Sequence, residues 1–161
     1  RASITGHLVV STLHTNSTAS SVSRLVDMGI EPYLLSDSLV GIIAQRLVKK
    51  LCSCKTKVLA TAEDRQKLGI TDDGDEVYIY KPCGCKLCNN TGYYGRTGIY
   101  EIMQITPSIK RLISKNADTS LINEEAVKEG MSTLRKSAAE CVIMGITSMD
   151  ELMKISYEVE E

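Results

Sequence analysis

Five of the six cysteines fall into two tight groups, and thiols in this arrangement can hold a metal ion. The first group is Cys52 and Cys54, and the second, across one loop, contains Cys83, Cys85 and Cys88. Two thiolates at each end of a loop can complete a tetrahedral zinc site, which needs four ligands and no open position when its role is structural. The sequence therefore predicts a closed structural metal site rather than a catalytic one.

The spacing of the cysteines alone does not identify the fourth zinc ligand. The first pair has C-x-C spacing, which is tighter than the usual C-x-x-C knuckle, and Cys83 offers an alternative thiolate close to Cys85 and Cys88. Six cysteines in a short chain also fit a disulfide framework, but their tight clustering favours a metal. Cys141 stands apart at helical spacing from apolar neighbours, so we expect it to be a small buried hydrophobe on a helix face.

The amino-acid composition and charge of the chain exclude some classes of function. The 161 residues suffice for one ordinary core or two small modules. With 19 basic and 20 acidic residues, the overall charge gives no support for binding nucleic acid or an anionic membrane. Polar residues interrupt the longest apolar stretch, so we predict no membrane-spanning helix.

A second candidate for chemistry is His14, which follows a short apolar run. Residues 8–13 are rich in β-branched side chains and predict a strand covered on both faces. Ligands collect outside the carboxyl ends of strands in open α/β sheets, so His14 is a candidate functional residue. His7, at the other end of the run, is predicted to be structural or exposed.

The segments that follow alternate between helix and strand signals. Ser17 or Asn16 can cap a helix that Gly29 ends, and Pro32 begins a second helix before a strand at 41–48. This β-α-α-β order suits the edge of a doubly wound α/β domain. Further along we predict an acidic turn at 72–76, strands at 77–80 and 97–105, a helix begun by Thr106 and Pro107, and helices near 120–129, 132–144 and 147–156.

Phosphate-binding loops of the common kinds are missing from the sequence. No Gly-Lys dipeptide occurs, which excludes a G-x-x-x-x-G-K-[ST] loop within these residues, and no G-x-G-x-x-G motif is found. The glycines at 92, 95 and 98 are better explained as a tight turn after the second cysteine group. A nucleotide would therefore have no complete binding loop in this sequence.

Several motifs together resemble the secretion-superfamily ATPases that drive type II secretion and type IV pilus assembly. Residues 5–16 (TGHLVVSTLHTN) are similar to the histidine box of that family, and 24–32 (RLVDMGIEP) and 44–52 (AQRLVKKLC) to the segments after it. The stretch 84–101 (GCKLCNNTGYYGRTGIYE) is similar to its tetracysteine exit. GMSTL at 130–134 and GITSMDEL at 145–152 match its C-terminal helices.

The resemblance implies a specific architecture. The fold would be α/β: residues 1–51 the C-terminal portion of a RecA-like P-loop ATPase core, 52–96 a tetracysteine zinc subdomain, and 97–161 a strand followed by a C-terminal helical bundle. His14 would sense the γ-phosphate or couple it to movement, and Arg96 would contact nucleotide or an interface. Zinc would be held by Cys52, Cys54, Cys85 and Cys88.

The same resemblance implies a partial motor. The Walker A and Walker B motifs of the family precede the histidine box, so ATP with Mg²⁺ would be bound mainly outside these residues and the fragment alone would be inactive. The complete protein would be a cytoplasmic homo-hexamer, peripheral to the inner membrane through platform proteins of a secretion or pilus machine, with no direct nucleic-acid contact. The alternative is a free-standing zinc-binding interaction module without an ATPase role.

Overall fold

The chain alternates short helices with two separate pairs of strands in a computed structural model that describes residues 2–71 and 75–160. Residues 72–74 of the predicted acidic turn lie outside the described part. In chain order the elements are α1 (Thr18–Asp27), α2 (Pro32–Ser38), β1 (Gly41–Leu51), β2 (Thr56–Leu59), α3 (Ala62–Leu68), β3 (Tyr78–Lys81), a 3-10 turn (Lys86–Cys88), β4 (Tyr93–Gln104), α4 (Pro107–Ser114), α5 (Thr119–Lys128), α6 (Leu134–Ile143) and α7 (Met149–Glu160).

The strands form two ribbons rather than one sheet over the described residues. β1 pairs with β4, and β2 pairs antiparallel to β3, with Thr56 opposite Lys81 and Leu59 opposite Tyr78. The strand predicted at 41–48 is confirmed as part of β1. Those predicted at 97–105 and 77–80 are confirmed apart from one end residue each, since β4 ends at Gln104 and β3 begins at Tyr78. The β2–β3 ribbon thus frames the loop between the two cysteine groups.

Local signals for helix ends are confirmed. Ser17 caps α1, since its Oγ accepts from the N–H of Ser20 at 3.2 Å while the Ser20 Oγ accepts from the N–H of Ser17 at 3.0 Å. Gly29 follows the last turn with φ +85°, the left-handed conformation expected after a helix. α4 begins with Pro at its first position behind the capping side chain of Thr106.

The described residues divide into two compact units. The first comprises the residues up to Ala44 together with Glu101–Thr133, and the second comprises Gln45–Tyr100 together with the residues from Leu134 onward. The division passes through β1 and β4, so each unit is built from two separate stretches of chain. The boundaries predicted at 51/52 and 96/97 remain a prediction.

The first unit is a helical layer around an aliphatic core. α2 packs on α4, and both α1 and α4 pack on α5. Each fully buried Ile or Met contributes roughly 1.5–3 kcal/mol through removal of apolar surface from water. The buried cluster consists of Ala19, Val22, Leu35, Met103, Ile105, Ile109, Ile113, Ile122 and Ala126.

The second unit contains both cysteine groups and the last two helices. α6 packs on α7 and also contacts β3 and α3. Cys141, on α6, is only partly buried, and its burial raises the pKa of the thiol. Completely or almost completely buried side chains in this unit include Val48, Ile79, Ile99, Leu134, Ala138, Val142 and Leu152.

The prediction of a covered strand at residues 8–13 is wrong for this chain. The segment has no regular secondary structure, and its side chains face solvent, with Leu8 88% and Val10 87% exposed. A strand needs a neighbour to receive its backbone hydrogen bonds. Among the described residues none of the four strands pairs with this segment, so apolar composition alone does not produce a strand.

The region 55–82 holds more structure than its composition predicted. α3 begins with a capping box, in which Thr61 Oγ1 accepts from the N–H of Asp64 at 3.1 Å and Asp64 Oδ2 accepts from the N–H of Thr61 at 3.0 Å. Gly69 closes the helix with φ +70°. The T-x-x-D spacing followed by Gly is a recognisable helix signal that could have located α3.

Candidate functional site

Four cysteine sulfurs converge in the second unit. Cys52 directly follows β1 and Cys54 lies in the turn before β2. Cys85 directly precedes the 3-10 turn, and Cys88 is its last residue. Their four Sγ atoms all lie within 4.8 Å of one another. All six cysteines of the chain are free thiols, so the folded chain contains no disulfide framework.

The spacing of these sulfurs fits a tetrahedral zinc ion. A Zn–S bond of about 2.3 Å places the sulfurs of a regular tetrahedron about 3.8 Å apart. The Sγ–Sγ distances are 3.8 Å for Cys52–Cys85, 3.9 Å for Cys54–Cys88 and 3.8 Å for Cys85–Cys88. The donor set and its dimensions therefore suit zinc, with Cys52, Cys54, Cys85 and Cys88 as the residues that would hold it.

Backbone amides surround the sulfurs. The N–H of Gly84 donates to Cys54 Sγ at 3.3 Å, and the N–H groups of Cys85 and Gly92 donate to Cys88 Sγ at 3.1 Å and 3.2 Å. Such bonds stabilise negative charge on sulfur, which is the state that binds a metal. The tight C-x-C pair is accommodated because the turn after Cys52 closes with the N–H of Lys55 on the Cys52 carbonyl at 3.0 Å.

The thiols differ in acidity because their surroundings differ. Burial acts to raise the pKa of Cys88, but the amides of Cys85 and Gly92 together with the thiols of Cys85 and Cys54 outweigh it, and the pKa falls to about 6. The amide of Gly84 acts to lower the pKa of Cys54, while burial and the neighbouring thiols raise it to about 11. A cation among the sulfurs favours the thiolate form of each.

Gly92 is required by close packing at this site. Its φ is +78°, and a Cβ placed there would lie 2.4 Å from the Cβ of Pro82. Its carbonyl also accepts from the N–H of Cys52 at 2.9 Å. The residue thus ties the exit of the second cysteine group to the end of β1. Of the glycines predicted to form a tight turn, only Gly92 lies in a bend, since Gly95 and Gly98 lie within β4.

The cysteine group is anchored to the turn between α6 and α7. The N–H of Leu51 donates to Ile146 O at 2.9 Å, Thr147 Oγ1 donates to Lys49 O at 2.7 Å, and Lys55 Nζ donates to Gly145 O at 2.6 Å. The Lys55 ammonium also lies 4.6 Å from the centre of the Tyr80 ring, a cation–π distance. Both ends of the first cysteine pair are therefore held by the helical part of this unit.

Cys83 lies outside the group of four. Its side chain is exposed, whereas Cys52 and Cys88 are buried and Cys54 and Cys85 are partly buried. Arg96 is exposed on β4 in the same unit. The structure therefore gathers four of the predicted thiols and leaves Cys83 and Arg96 on the surface.

His14 lies in the first unit, in an exposed segment just before α1. The residues between His14 and the helix are tied to it, because Thr15 Oγ1 and Ser21 Oγ lie 2.7 Å apart and Ser21 Oγ donates to Ser17 O at 3.1 Å. An exposed imidazole on an anchored segment is available to a ligand.

Sequence reasoning missed Glu101. This carboxylate is 2% exposed on β4, and its Oε1 accepts from the N–H and the Oγ1 of Thr18 at 2.8 Å and 2.6 Å. The available signal was period-2 patterning, since Ile99, Glu101 and Met103 alternate with exposed positions and a glutamate stands where an apolar residue is expected. A buried carboxylate at a helix start is a specific arrangement, because burial is costly unless hydrogen bonds offset it.

Comparison with known proteins decides the family. Residues 1–154 match the family described as "Type II/IV secretion system protein". The chain belongs to this family. Its sequence-based resemblance to secretion and pilus assembly ATPases is thereby confirmed.

The names of similar proteins mention either type IV pilus assembly or type II secretion. The chain is 42% identical over 158 residues to the "Type IV pilus assembly ATPase TfpB" of Acinetobacter baylyi, covering 96% of this chain and 27% of the relative. It is 42% identical over 159 residues to the "Type II secretion system ATPase E" of Vibrio cholerae, covering 98% of this chain and 31% of the relative. With "Type IV pilus assembly ATPase PilB" of Thermus thermophilus it shares 37% identity, covering 98% of this chain and 18% of the relative.

The chain thus spans less than a third of the length of these relatives. Over the part that the structure describes, the helices all fall short of the length and hydrophobicity that crossing a bilayer requires. The four clustered cysteines, now within a secretion ATPase family, remain compatible with zinc.

Proposed function

We propose that this chain is the C-terminal part of a hexameric ATPase that couples ATP hydrolysis to type IV pilus assembly or type II protein secretion. The observation that carries the proposal is the family match over residues 1–154, with relatives named as ATPases of both machines. The complete protein would act in the cytoplasm and dock on inner-membrane platform proteins of its machine. Residues 52–96 would form its zinc subdomain, between the end of the ATPase core and the helical C-terminal part.

ATP with Mg²⁺ would be bound mainly by residues outside this sequence, which contains no P-loop. Phosphoryl transfer depends on positioning and charge stabilisation, so residues of this chain would contribute by contact with the γ-phosphate. His14 suits that role because it is exposed on a segment fixed to α1. Arg96, exposed on β4, is a candidate for a second contact with nucleotide or with a neighbouring subunit.

The exposed apolar segment 8–13 supports the same arrangement. Leu8 and Val10, in a segment without regular secondary structure, leave apolar surface exposed to water. In the complete RecA-like domain this segment would join a sheet formed by other residues, and His14 would then stand at the carboxyl end of a strand, where ligands bind in such sheets.

Zinc would have a structural role here. When bound, it cross-links the end of β1 to the second cysteine group and supplies folding free energy rather than reaction chemistry. The four thiolates leave no open coordination position for a substrate. The cysteines therefore shape the subdomain, while turnover depends on the nucleotide-binding residues.

The test of the proposed function is His14→Ala in the complete protein. We expect kcat to fall by roughly 10²–10³, as when one polar contact to a transition state is lost, with little change in ATP affinity because the P-loop supplies most ground-state binding. Unchanged kcat in a verified His14→Ala hexamer would remove the sensor role.

A further inference from the structure

The start of α1 is closed by a carboxylate from another element of the same unit. Glu101 Oε1 receives both the backbone N–H and the hydroxyl of Thr18, the first residue of the helix. Both side chains are buried, Thr18 completely and Glu101 with 2% of its surface exposed. A buried carboxylate is costly unless it accepts such bonds, so this pairing defines the position of the helix start tightly.

Two further amides at this helix start are also occupied. The N–H of Ser17 donates to Ser20 Oγ at 3.0 Å, and the N–H of Ser20 donates to Ser17 Oγ at 3.2 Å. A helix N-terminus is ordinarily a favourable place for an external anion. Here the Glu101 carboxyl already accepts from the amide of the first helical residue.

We propose that Glu101 is a positioning residue for ATP turnover, which acts by fixing the start of α1 and thereby the placement of His14. The inference rests on the proposed function. The path is short: Glu101 holds Thr18, Ser17 caps the helix, and the Thr15 hydroxyl lies 2.7 Å from that of Ser21. The peptide bond of Thr15 then joins this anchored turn to His14.

The test is a double-mutant cycle in the complete protein, with Glu101→Ala, His14→Ala and the pair. Misplacing a catalytic group by about 1 Å can cost up to 10²-fold in rate, so we expect Glu101→Ala to lower kcat roughly ten- to a hundredfold with ATP affinity nearly unchanged. Because Glu101 acts through His14, the pair should be no slower than His14→Ala alone. Glu101→Gln keeps one acceptor oxygen and should restore part of kcat.

Glu151 provides a matched control for mere loss of stability. It is 5% exposed and likewise accepts a backbone N–H, that of Lys49, at 2.9 Å, but it lies in the second unit. Glu151→Ala should lower the melting temperature, and any effect on kcat should multiply with that of His14→Ala. If Glu101→Ala does not fold, Thr18→Val carries the test, since it removes only the hydroxyl donor, and Thr18→Ser retains it.

The outcomes separate the inference from the proposed function. Suppose that His14→Ala is slow. If folded Glu101→Ala then turns over ATP normally, or if the losses multiply in the double mutant, the role of Glu101 is overturned and that of His14 remains. Normal turnover in His14→Ala overturns both. Hydrogen exchange at the amides of residues 15–20 gives an independent reading: it should accelerate in Glu101→Ala, and unchanged exchange contradicts the positioning role.

Discussion

The cysteine group and the His14 segment differ in how much of their surroundings this chain supplies. The four thiols lie within 4.8 Å of one another, backbone amides donate to those of Cys54 and Cys88, and the group is anchored to the α6–α7 turn. His14 follows the apolar residues 8–13, which are exposed and unpaired with any described strand. A structural metal site can be complete within one subdomain, whereas a residue that acts on a substrate requires the elements that bind the substrate.

The largest effect on stability is expected when one of the predicted zinc ligands in the cysteine group is substituted. Cys88→Ser should abolish zinc binding and lower the free energy of unfolding by roughly 4 kcal/mol or more, since structural zinc contributes directly to folding. Metal analysis after dialysis and thermal melts measure both quantities.

Cys83→Ser is the matched control for that substitution. Cys83 is exposed and outside the group of four, so its variant should keep one zinc and the wild-type melting temperature. Loss of zinc in Cys83→Ser together with retention in Cys54→Ser would show that the fourth ligand is Cys83.

A smaller effect is expected from the glycine that packs against the site. Gly92→Ala should destabilise the chain by about 3 kcal/mol, because the new Cβ would lie 2.4 Å from that of Pro82 in addition to the strain of φ +78°. Gly95 has nearly the same φ, +77°, with nothing within 4 Å of its Cβ position. Gly95→Ala should therefore cost only about 1 kcal/mol, the cost of backbone strain. Equal melting temperatures for the two variants would show that packing at Gly92 is unimportant.

The smallest effect concerns Glu151, which accepts the N–H of Lys49 on β1 at 2.9 Å. Burial acts to raise the pKa of this carboxyl, but Lys154 and the N–H of Lys49 lower it below its usual value. A lowered pKa in the folded state means that the ionised carboxylate stabilises the fold above its usual pKa, and that this contribution disappears as the pH falls through the lower folded value.

Urea unfolding between neutral pH and pH 3 measures this dependence. Glu151→Gln should flatten the acid side of the stability profile, and Lys154→Gln should flatten it in part because the Lys49 amide remains. A profile identical to wild type in Glu151→Gln would show that other carboxylates account for the acid sensitivity.

Sequence reasoning succeeded where the information is local. Capping residues, glycines after helices and the helical spacing of aliphatic residues located most elements, because each signal acts within a few residues. The cysteine group was predicted for the same reason, since its thiols come in two short clusters. The choice of four thiols among five required coordinates, because C-x-C and C-x-x-C spacings leave Cys54 and Cys83 as alternatives.

The failures are long-range. Residues 8–13 have the composition of a buried strand, yet strand formation depends on a partner that composition does not specify. Glu101 contacts Thr18 across a wide separation in sequence, so only the unexpected polar residue in the β4 alternation hinted at its burial. Contacts between residues far apart in sequence depend on the tertiary structure, and the residues next to each partner in the sequence do not determine them.

The most direct test uses the purified 161-residue chain itself, assayed together for bound metal and for magnesium-dependent ATP hydrolysis. We expect one zinc per chain and no turnover, because the thiol group is complete here while no P-loop lies within the sequence. A chain that hydrolyses ATP with magnesium, and loses that activity in His14→Ala, would contradict the division between a self-contained metal site and a nucleotide site that depends on other residues.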